Sequence, residues 1–229
     1  MEFSLYTQLP PQLPYNAFCY EFDNNFLVEN DFFRYQIFSP PQLQKAVAKR
    51  KAEYLAGRFC AKQVLSSLNI HPCDILSGND RAPIWPDNII GSITHTQGIA
   101  MAMACHRADI AGIGIDIEQL MSDKQEQELQ KQILHPEEYS QFKQLAEQIS
   151  HPLTIVFSAK ESIFKALYPS VKQFFGFEAA KLIAFNEQQL QFKITKTLSE
   201  QVPQGTCLTV FYQCNNTVVL TECEFKTPL

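Results

Sequence analysis

The sequence predicts an α+β protein built on antiparallel sheets. The first observation is a long helical pattern followed by strand-like alternation, and the second is the same order, helices and then strands, later in the chain. The third is that no Gly-x-Gly-x-x-Gly joins a strand to a helix, which disfavours a Rossmann fold. A Gly-x-Ser-x-Gly elbow and a P-loop are also missing from the sequence. This order of elements is typical of two similar α+β halves.

In the first half of the chain, residues 1–40 are rich in proline and aromatic residues, which fits short extended segments packed against another element. A helix is predicted from Ser39 to about Asn69, with two prolines in its first turn. Gly57 costs this helix about 1 kcal/mol relative to alanine, which indicates close packing at that turn. A loop is predicted over 71–88. It is followed by strands at Ile89–Thr94 and Ile99–Cys105, joined by a turn at Gln97-Gly98.

The second half begins with a strand at Ile110–Glu118 and continues with three helices. Ser122 is the expected N-cap of a helix that ends at about Leu134. Pro136 and Pro152 open the other two helices, which end near residues 149 and 168. Strands are predicted near 177–185, 190–197, 207–213 and 217–225. The last two are joined by a hairpin turn at 215–216, because asparagine tolerates positive φ.

The composition is that of an ordinary globular protein. The 229 residues are 45% hydrophobic and 19% charged, which is enough for a buried core in one large or two small domains. The net charge of −5 gives no indication of binding to nucleic acid or to anionic membranes. Seven cysteines without a Cys-x-x-Cys pair, and the absence of a leader or a transmembrane run, predict a cytoplasmic protein with reduced thiols. The five histidines lack zinc-ligand spacing, so any metal would have oxygen ligands.

The strand Ile110–Glu118 carries the most informative pattern. Two-residue alternation places three isoleucines on one face and Gly112, Gly114, Asp116 and Glu118 on the other. The two carboxylates are about 7 Å apart, and the glycines leave room for a bulky anionic ligand against the backbone. Carboxylates that face an anion need a hard cation between them, such as Mg²⁺ or Mn²⁺. The alternative is a half-buried strand whose polar face happens to hold two acids.

A second pattern is Phe157-Ser-Ala-Lys-Glu161-Ser-Ile-Phe-Lys165. On a helix, Glu161 and Lys165 are one turn apart on the same side. They form either a surface ion pair or, for the glutamate, a capping box with Ser158. In the functional interpretation, Glu161 is a third metal ligand and Lys165 faces a phosphate.

Weaker signals lie earlier in the chain. Arg50 and Arg58 are eight residues apart, on broadly one side of the predicted helix, which is also typical of a solvated basic face. Arg81 lies in the predicted loop, where an arginine often holds the loop itself. In Gly91-Ser-Ile-Thr-His95, alternation places Thr94 and His95 on opposite faces of a strand, and a lone histidine there is often structural.

Taken in order, these motifs resemble the 4′-phosphopantetheinyl transferases of the Sfp type. The motifs are Arg50-x₇-Arg58, Arg81-x-Pro-x-Trp85-Pro, Gly91-Ser-Ile-Thr-His95, Gly114-Ile-Asp116-Ile-Glu118 and Phe157-Ser-Ala-Lys-Glu161-Ser-x-x-Lys165. The resemblance implies two pseudo-symmetric halves, at 1–108 and 109–229, with coenzyme A in a cleft between them. It also implies transfer of the phosphopantetheine arm of coenzyme A to a serine of an apo acyl- or peptidyl-carrier protein, with release of 3′,5′-ADP.

The resemblance also implies roles for the acidic residues. Asp116, Glu118 and Glu161 would hold Mg²⁺, or Mn²⁺, against the diphosphate of coenzyme A. Glu161 would complete the ligand set or take the proton from the carrier serine, and Lys165 would meet the phosphates or the departing oxygen. Asp116, Glu161 and Lys165 are therefore the expected catalytic residues.

The residues expected to bind coenzyme A share charge or hydrogen-bonding capacity suited to phosphate. They are Arg50, Arg58, Arg81, Thr94, His95, Asp116 and Lys165. Of these, Arg81 is expected on the nucleotide side, and threonine at 94 retains the hydroxyl of a serine that is common in relatives.

The carrier protein is expected to dock on residues 119–150 and on Phe174, Phe175 and Phe177, mainly through apolar contacts. The resemblance points to siderophore or other nonribosomal-peptide assembly and to a monomer.

Two other functions are a non-catalytic module that binds coenzyme A or a carrier, and a Mg²⁺-dependent phosphodiesterase. The first has no need of three acids and a lysine, and the second would release free phosphopantetheine.

Overall fold

The computed structural model describes residues 1–23, 30–70 and 74–226. Within these ranges it has eleven strands and five α-helices, and contacts between Cα atoms divide the chain into two compact units, Met1–Arg107 and Ala108–Leu229. In each unit a 20-residue helix packs on an antiparallel sheet, so the predicted α+β class is confirmed. Cys73 and the start of the predicted 71–88 loop lie outside the described residues. None of the helices described is both long enough and apolar enough to cross a membrane.

The described residues of the N-terminal unit, Met1–Arg107, form six strands and two α-helices. They are β1 (Phe3–Leu5), β2 (Asn16–Phe22), α1 (Asp31–Arg34), α2 (Ala48–Ser67), β3 (Leu76–Ser77), β4 (Pro83–Ile84), β5 (Ile89–Thr96) and β6 (Ile99–His106). One sheet has the order β1-β2-β6-β5, and β3 pairs with β4 separately. Helix α2 packs on β2, β5 and β6 and buries Leu55, Val64 and Leu65 there.

The predicted start of the long helix is wrong. The two prolines introduce only a 3-10 helix, Pro41–Leu43, and α2 begins at Ala48. Val47 separates the two because its ψ of 154° is extended. The β5–β6 hairpin, by contrast, closes at the predicted turn, where Gly98 has a φ of +75°.

In the C-terminal unit, Ala108–Leu229, the part that the structure describes has five strands and three α-helices. They are β7 (Ile110–Gln119), α3 (Asp123–Ile133), α4 (Tyr139–Ala146), α5 (Pro152–Val171), β8 (Ala180–Phe185), β9 (Gln189–Ile194), β10 (Cys207–Cys214) and β11 (Val218–Lys226), with 3-10 helices at Pro136–Glu138 and Phe177–Ala179. The sheet order β7-β11-β10-β9-β8 places the first strand beside the last. Helix α5 packs on β7, β11 and β10 and fills the core with Ile155, Ile163 and Leu167.

Two local predictions in this unit have different outcomes. Ser122 caps α3 as predicted, in a reciprocal capping box with Gln125. The predicted positive φ in the β10–β11 turn is wrong, since neither Asn215 nor Asn216 has one. The Oδ1 atom of Asn215 instead accepts hydrogen bonds from the backbone amides of Thr217 and Val218, which closes the turn.

The glycines of β7 face α5, not an open ligand site. A Cβ atom at Gly112 would overlap the carbonyl oxygen of Ala166, and one at Gly114 would overlap that of Ser162. The prediction that a bulky anion lies against these two glycines is therefore wrong. Their small size lets the helix backbone approach the strand backbone, which sets the distance across which the functional side chains meet.

Candidate active site

Asp116 lies at the centre of the charged residues between β7 and α5. Its side chain is buried, and both of its oxygens accept hydrogen bonds from α5. Lys165 Nζ donates to Oδ1 at 2.7 Å and also to the carbonyl oxygen of Ile115 at 3.0 Å. Ser158 Oγ donates to Oδ2 at 2.9 Å. One helix therefore supplies a hydrogen-bond donor to each oxygen of the carboxylate.

These contacts decide between the alternatives for the Phe157–Lys165 motif. Ser158 lies inside α5 and donates to Asp116, so the capping-box interpretation is wrong. The ion pair of Lys165 is with Asp116, not the surface pair with Glu161. The spacing of Glu161 and Lys165 thus directs both residues toward β7.

The pKa values of Glu118 and Glu161 are both raised. Burial raises the pKa of Glu118 to about 7; the charges of Asp116 and Glu161 add to this, and Lys165 acts in the opposite direction. Burial also raises the pKa of Glu161, where Lys165 lowers it and Asp116 raises it. Three carboxylates thus share one partly buried region with a single lysine, which leaves an excess of negative charge.

The excess of negative charge is relevant to the predicted binding of Mg²⁺ or Mn²⁺. Among the residues that the structure describes, no group of three histidine, cysteine, aspartate or glutamate side chains is arranged around a common metal position. Asp116 is instead held by Lys165 and Ser158, although each carboxylate oxygen has two lone pairs and so retains acceptor capacity. Oxygen donors with mutual repulsion suit a hard divalent cation. The donor set therefore fits Mg²⁺ or Mn²⁺ in its chemistry.

The lysine beside Glu161 has a different environment. Lys160 is buried and pairs with Glu138, and its Nζ also donates to the carbonyl oxygen of Ile133 at 2.8 Å. Burial lowers the pKa of Lys160, and the charge of Glu138 opposes this. The other carboxylate oxygen of Glu138 accepts from the amide of Leu182. Lys160 therefore fastens α5 to the 3-10 helix at 136–138 and leaves Glu161 to the acidic region.

No sequence pattern predicted the buried group of hydroxyls next to Asp116. Ser158 Oγ lies 2.9 Å from Thr221 Oγ1, which in turn lies 2.7 Å from Ser162 Oγ. All three side chains are fully buried. Thr221 lies on β11, directly opposite Asp116 in the strand pairing. No local signal marks it, because the pairing of β7 with β11 joins residues that are about a hundred positions apart.

In the N-terminal unit, the structure brings Arg50 and His95 together. Arg50 Nη1 lies 3.2 Å from His95 Nε2, so the guanidinium donates to the imidazole. Glu53 Oε2 lies 3.7 Å from Arg50 Nη1 and 3.9 Å from His95 Nδ1. A helix and a strand thus supply one small cluster, in which the carboxylate of Glu53 lies beside the guanidinium and the imidazole.

The other predicted phosphate-binding residues of this unit have separate surroundings. Arg58 donates to Ser77 Oγ at 2.9 Å, and its guanidinium lies 4.6 Å from the centre of the Tyr54 ring. Burial lowers the pKa of Arg58, and Tyr54 opposes this. Arg81 is exposed, with a φ of +67°, in the turn between β3 and β4. Thr94 is buried on the face of β5 opposite to His95.

The phenylalanines predicted to dock a carrier protein differ in exposure. Phe174 is 84% exposed, whereas Phe175 is buried in the core and contacts Phe164. Phe177 is half-buried and packs edge-to-face on Phe157. The inclusion of Phe175 in a docking surface is therefore wrong, because a core side chain presents no surface to a partner.

The fold and these residues define a class of protein. A family model described as the 4′-phosphopantetheinyl transferase N-terminal domain matches residues 39–105, and one for the 4′-phosphopantetheinyl transferase superfamily matches residues 112–218. The chain belongs to this superfamily.

Particular relatives are similar over most of the chain. Enterobactin synthase component D of Escherichia coli strain K12 is 33% identical over 183 residues, which are 80% of this chain and 81% of the relative. Enterobactin synthase component D of Salmonella typhi is 32% identical over 78% of this chain and 74% of its own length. The 4′-phosphopantetheinyl transferase PptT of Mycobacterium tuberculosis is 34% identical over 62% of each protein.

Proposed function

We propose that this protein transfers the 4′-phosphopantetheine arm of coenzyme A to a serine of an apo acyl- or peptidyl-carrier protein and releases 3′,5′-ADP. Membership of the superfamily supports the reaction class. The observation that carries the assignment of residues is the buried Asp116 carboxylate, bound to Lys165 and adjacent to Glu118 and Glu161.

In the proposed reaction, the serine oxygen forms a bond to the phosphorus nearer the pantetheine arm while the bridging P–O bond breaks. The proton of the serine passes to a base, and 3′,5′-ADP leaves with the bridging oxygen. Such transfers depend mainly on positioning and on neutralisation of charge. A bound Mg²⁺ or Mn²⁺ would neutralise the diphosphate.

The acidic residues and the lysine have separate roles in the proposed reaction. We assign Asp116, Glu118 and Glu161 as metal ligands, with Glu161 as the alternative base for the serine proton. A carboxylate with a raised pKa is a better base than an ordinary one, and the pKa of Glu161 is raised by burial. Lys165 is held on Asp116 at 2.7 Å, where its ammonium group would face the phosphates or the departing oxygen.

We assign the phosphates of coenzyme A to basic residues of the N-terminal unit. The Arg50–His95 cluster offers a guanidinium and an imidazole 3.2 Å apart, which suits the dianionic 3′-phosphate. Arg58, Thr94 and Arg81 are further candidates for contacts with the nucleotide. Arg81 is exposed and lies in a turn, outside any helix or strand.

The relatives named enterobactin synthase component D favour carriers of siderophore or other nonribosomal-peptide assembly as the substrates. A cytoplasmic monomer is proposed on the sequence grounds given above. We keep residues 119–150, exposed Phe174 and half-buried Phe177 as the proposed docking surface for the carrier.

A direct experiment incubates the protein with coenzyme A, Mg²⁺ and an apo-carrier and then weighs the carrier by mass spectrometry. Transfer predicts a carrier heavier by one phosphopantetheine and an equal amount of 3′,5′-ADP. Free phosphopantetheine with an unchanged carrier would indicate a phosphodiesterase instead. Binding of coenzyme A without any product would indicate a non-catalytic module.

A further inference from the structure

We infer that Thr221 is a positioning residue, which holds the carboxylate of Asp116 through the hydroxyl of Ser158. Thr221 is itself too far along the hydroxyl chain to touch a substrate, since it is fully buried between Ser158 and Ser162. The significance of this inference rests on the proposed function, in which Asp116 is a metal ligand.

Strand register places Thr221 on the correct side of the sheet. Thr221 of β11 is the direct partner of Asp116 of β7, and directly paired residues on neighbouring strands project from the same face. That face is covered by α5, which supplies Ser158 and Ser162. The three hydroxyls and the carboxylate therefore meet in one buried row of the C-terminal unit.

The hydrogen atoms of this row have one consistent direction. Each hydroxyl has a single hydrogen, and an ionised carboxylate only accepts. Ser158 donates to Asp116 Oδ2 at 2.9 Å, so Thr221 donates to Ser158 Oγ, also at 2.9 Å. Ser162 then donates to Thr221, either to Oγ1 at 2.7 Å or to the carbonyl oxygen at 3.0 Å. The hydrogen bonds of Thr221 and Ser158 thus both point toward Asp116, and Ser162 extends the row when it donates to Thr221 Oγ1; such chains strengthen their members.

Thr221 prevents an alternative arrangement of Ser158. The Ser158 hydroxyl has a second acceptor, the main-chain oxygen of Asp116 at 3.4 Å. The hydrogen bond from Thr221 pins Ser158 Oγ in the position from which it reaches Oδ2. Ser158 on Oδ2 and Lys165 on Oδ1 together fix the orientation of the Asp116 carboxylate plane. Residues behind metal ligands commonly change metal affinity by about 10- to 100-fold when they are mutated.

The test compares Thr221→Val, which replaces the hydroxyl by a methyl group of similar size, with Thr221→Ser, which keeps the hydroxyl. Mn²⁺ is titrated into each full-length variant with coenzyme A present, and unbound Mn²⁺ is measured by electron paramagnetic resonance. We expect Thr221→Val to weaken Mn²⁺ binding by about tenfold and Thr221→Ser by less than about twofold. Thermal unfolding of each metal-free variant shows whether it is folded. Equal losses in the two variants, or none in Thr221→Val, would overturn the inference.

A double mutant tests whether Thr221 acts through Ser158, and the single variant Ser158→Ala remains informative if Thr221→Val folds poorly. Ser158→Ala should weaken Mn²⁺ binding at least as much as Thr221→Val. Adding Thr221→Val to Ser158→Ala should cause no further loss, because the connection is already broken. Losses that multiply would overturn the inference. Wild-type protein is measured in parallel. If it neither binds Mn²⁺ nor modifies a carrier, the proposed function is wrong, and the inference fails with it.

Discussion

The two units pack a 20-residue helix on an antiparallel sheet, but they bring the helix close in different ways. In the N-terminal unit the glycine is on the helix, and a Cβ at Gly57 would lie 2.9 Å from a methyl group of the Ile93 side chain. In the C-terminal unit the glycines are on the strand, and a Cβ at Gly114 would overlap the backbone of α5. The first contact involves a side chain that can move, and the second involves two main chains that cannot.

This difference coincides with the kind of chemistry each unit is proposed to perform. Arg50 has a long and exposed side chain, and the side chain of His95 is partly exposed, so both can adapt to a phosphate. Asp116, Lys165 and Ser158 instead depend on a fixed spacing between β7 and α5, because their hydrogen bonds of 2.7 and 2.9 Å cross that contact. A rigid contact between main chains is suited to holding reactive groups in place.

The largest expected effect is on folding. Gly114→Ala should destabilise the protein by at least about 3 kcal/mol, because its methyl group meets the backbone at Ser162, which has no rotamer to change. Gly57→Ala is the matched control. It should change stability by no more than about 1 kcal/mol, since the gain in helix propensity offsets the contact with Ile93. Urea unfolding measures the stability of both variants. Similar losses of stability would show that the two glycines do not differ in what their neighbours tolerate.

The next effect is on turnover. Glu161→Gln and Glu118→Gln should each lower the transfer rate by at least about 100-fold while the protein stays folded, because each removes a charge that the proposed metal and proton transfer require. Glu200→Gln, at an exposed position, is the control. The readout is initial rate by mass spectrometry of the carrier at saturating coenzyme A. Near-normal rates in both variants would exclude the assigned roles.

A smaller effect, and one of a different type, is expected in the N-terminal unit. Arg50→Met should raise the KM for coenzyme A by about tenfold with little change in kcat, because it removes binding that is equal in the ground and transition states. Arg34→Met is a suitable control, since Arg34 is similarly exposed in the same unit. A fall in kcat with an unchanged KM would place Arg50 among the reacting groups instead.

The smallest effect is a dependence of stability on pH in the metal-free protein. The pKa of Glu118 rises from 4.5 to about 7 on folding, so the folded state binds the proton more tightly than the unfolded state. This contribution to stability is present below pH 4.5 and is lost as the pH rises through 7. Glutamine does not titrate, so Glu118→Gln should gain stability relative to wild type between pH 5 and pH 8.

Melting temperatures of both proteins in a chelator at the two pH values measure this gain. A difference that is the same at pH 5 and pH 8, or smaller at pH 8, would show that the pKa of Glu118 is not raised. Glu200→Gln again serves as the control.

The sequence predicted regular elements better than contacts between them. The strand at 110–118 and the cap at Ser122 follow from local patterns, and the structure has both, although both faces of β7 are buried as far as Ile117. The start of α2 was missed because the two prolines open a different, shorter helix. The glycines of β7 indicated a close approach, but no local pattern states whether a ligand or a helix makes it. Thr221 was missed because only strand register places it beside Asp116.

The most direct measurement of the central claim is the position of Mn²⁺ in crystals grown with coenzyme A, located by its anomalous scattering. The proposed function predicts one strong peak bound by carboxylate oxygens of Asp116, Glu118 and Glu161, with the diphosphate on the same ion. A diphosphate and Mn²⁺ bound elsewhere, with these three carboxylates unligated, would contradict it.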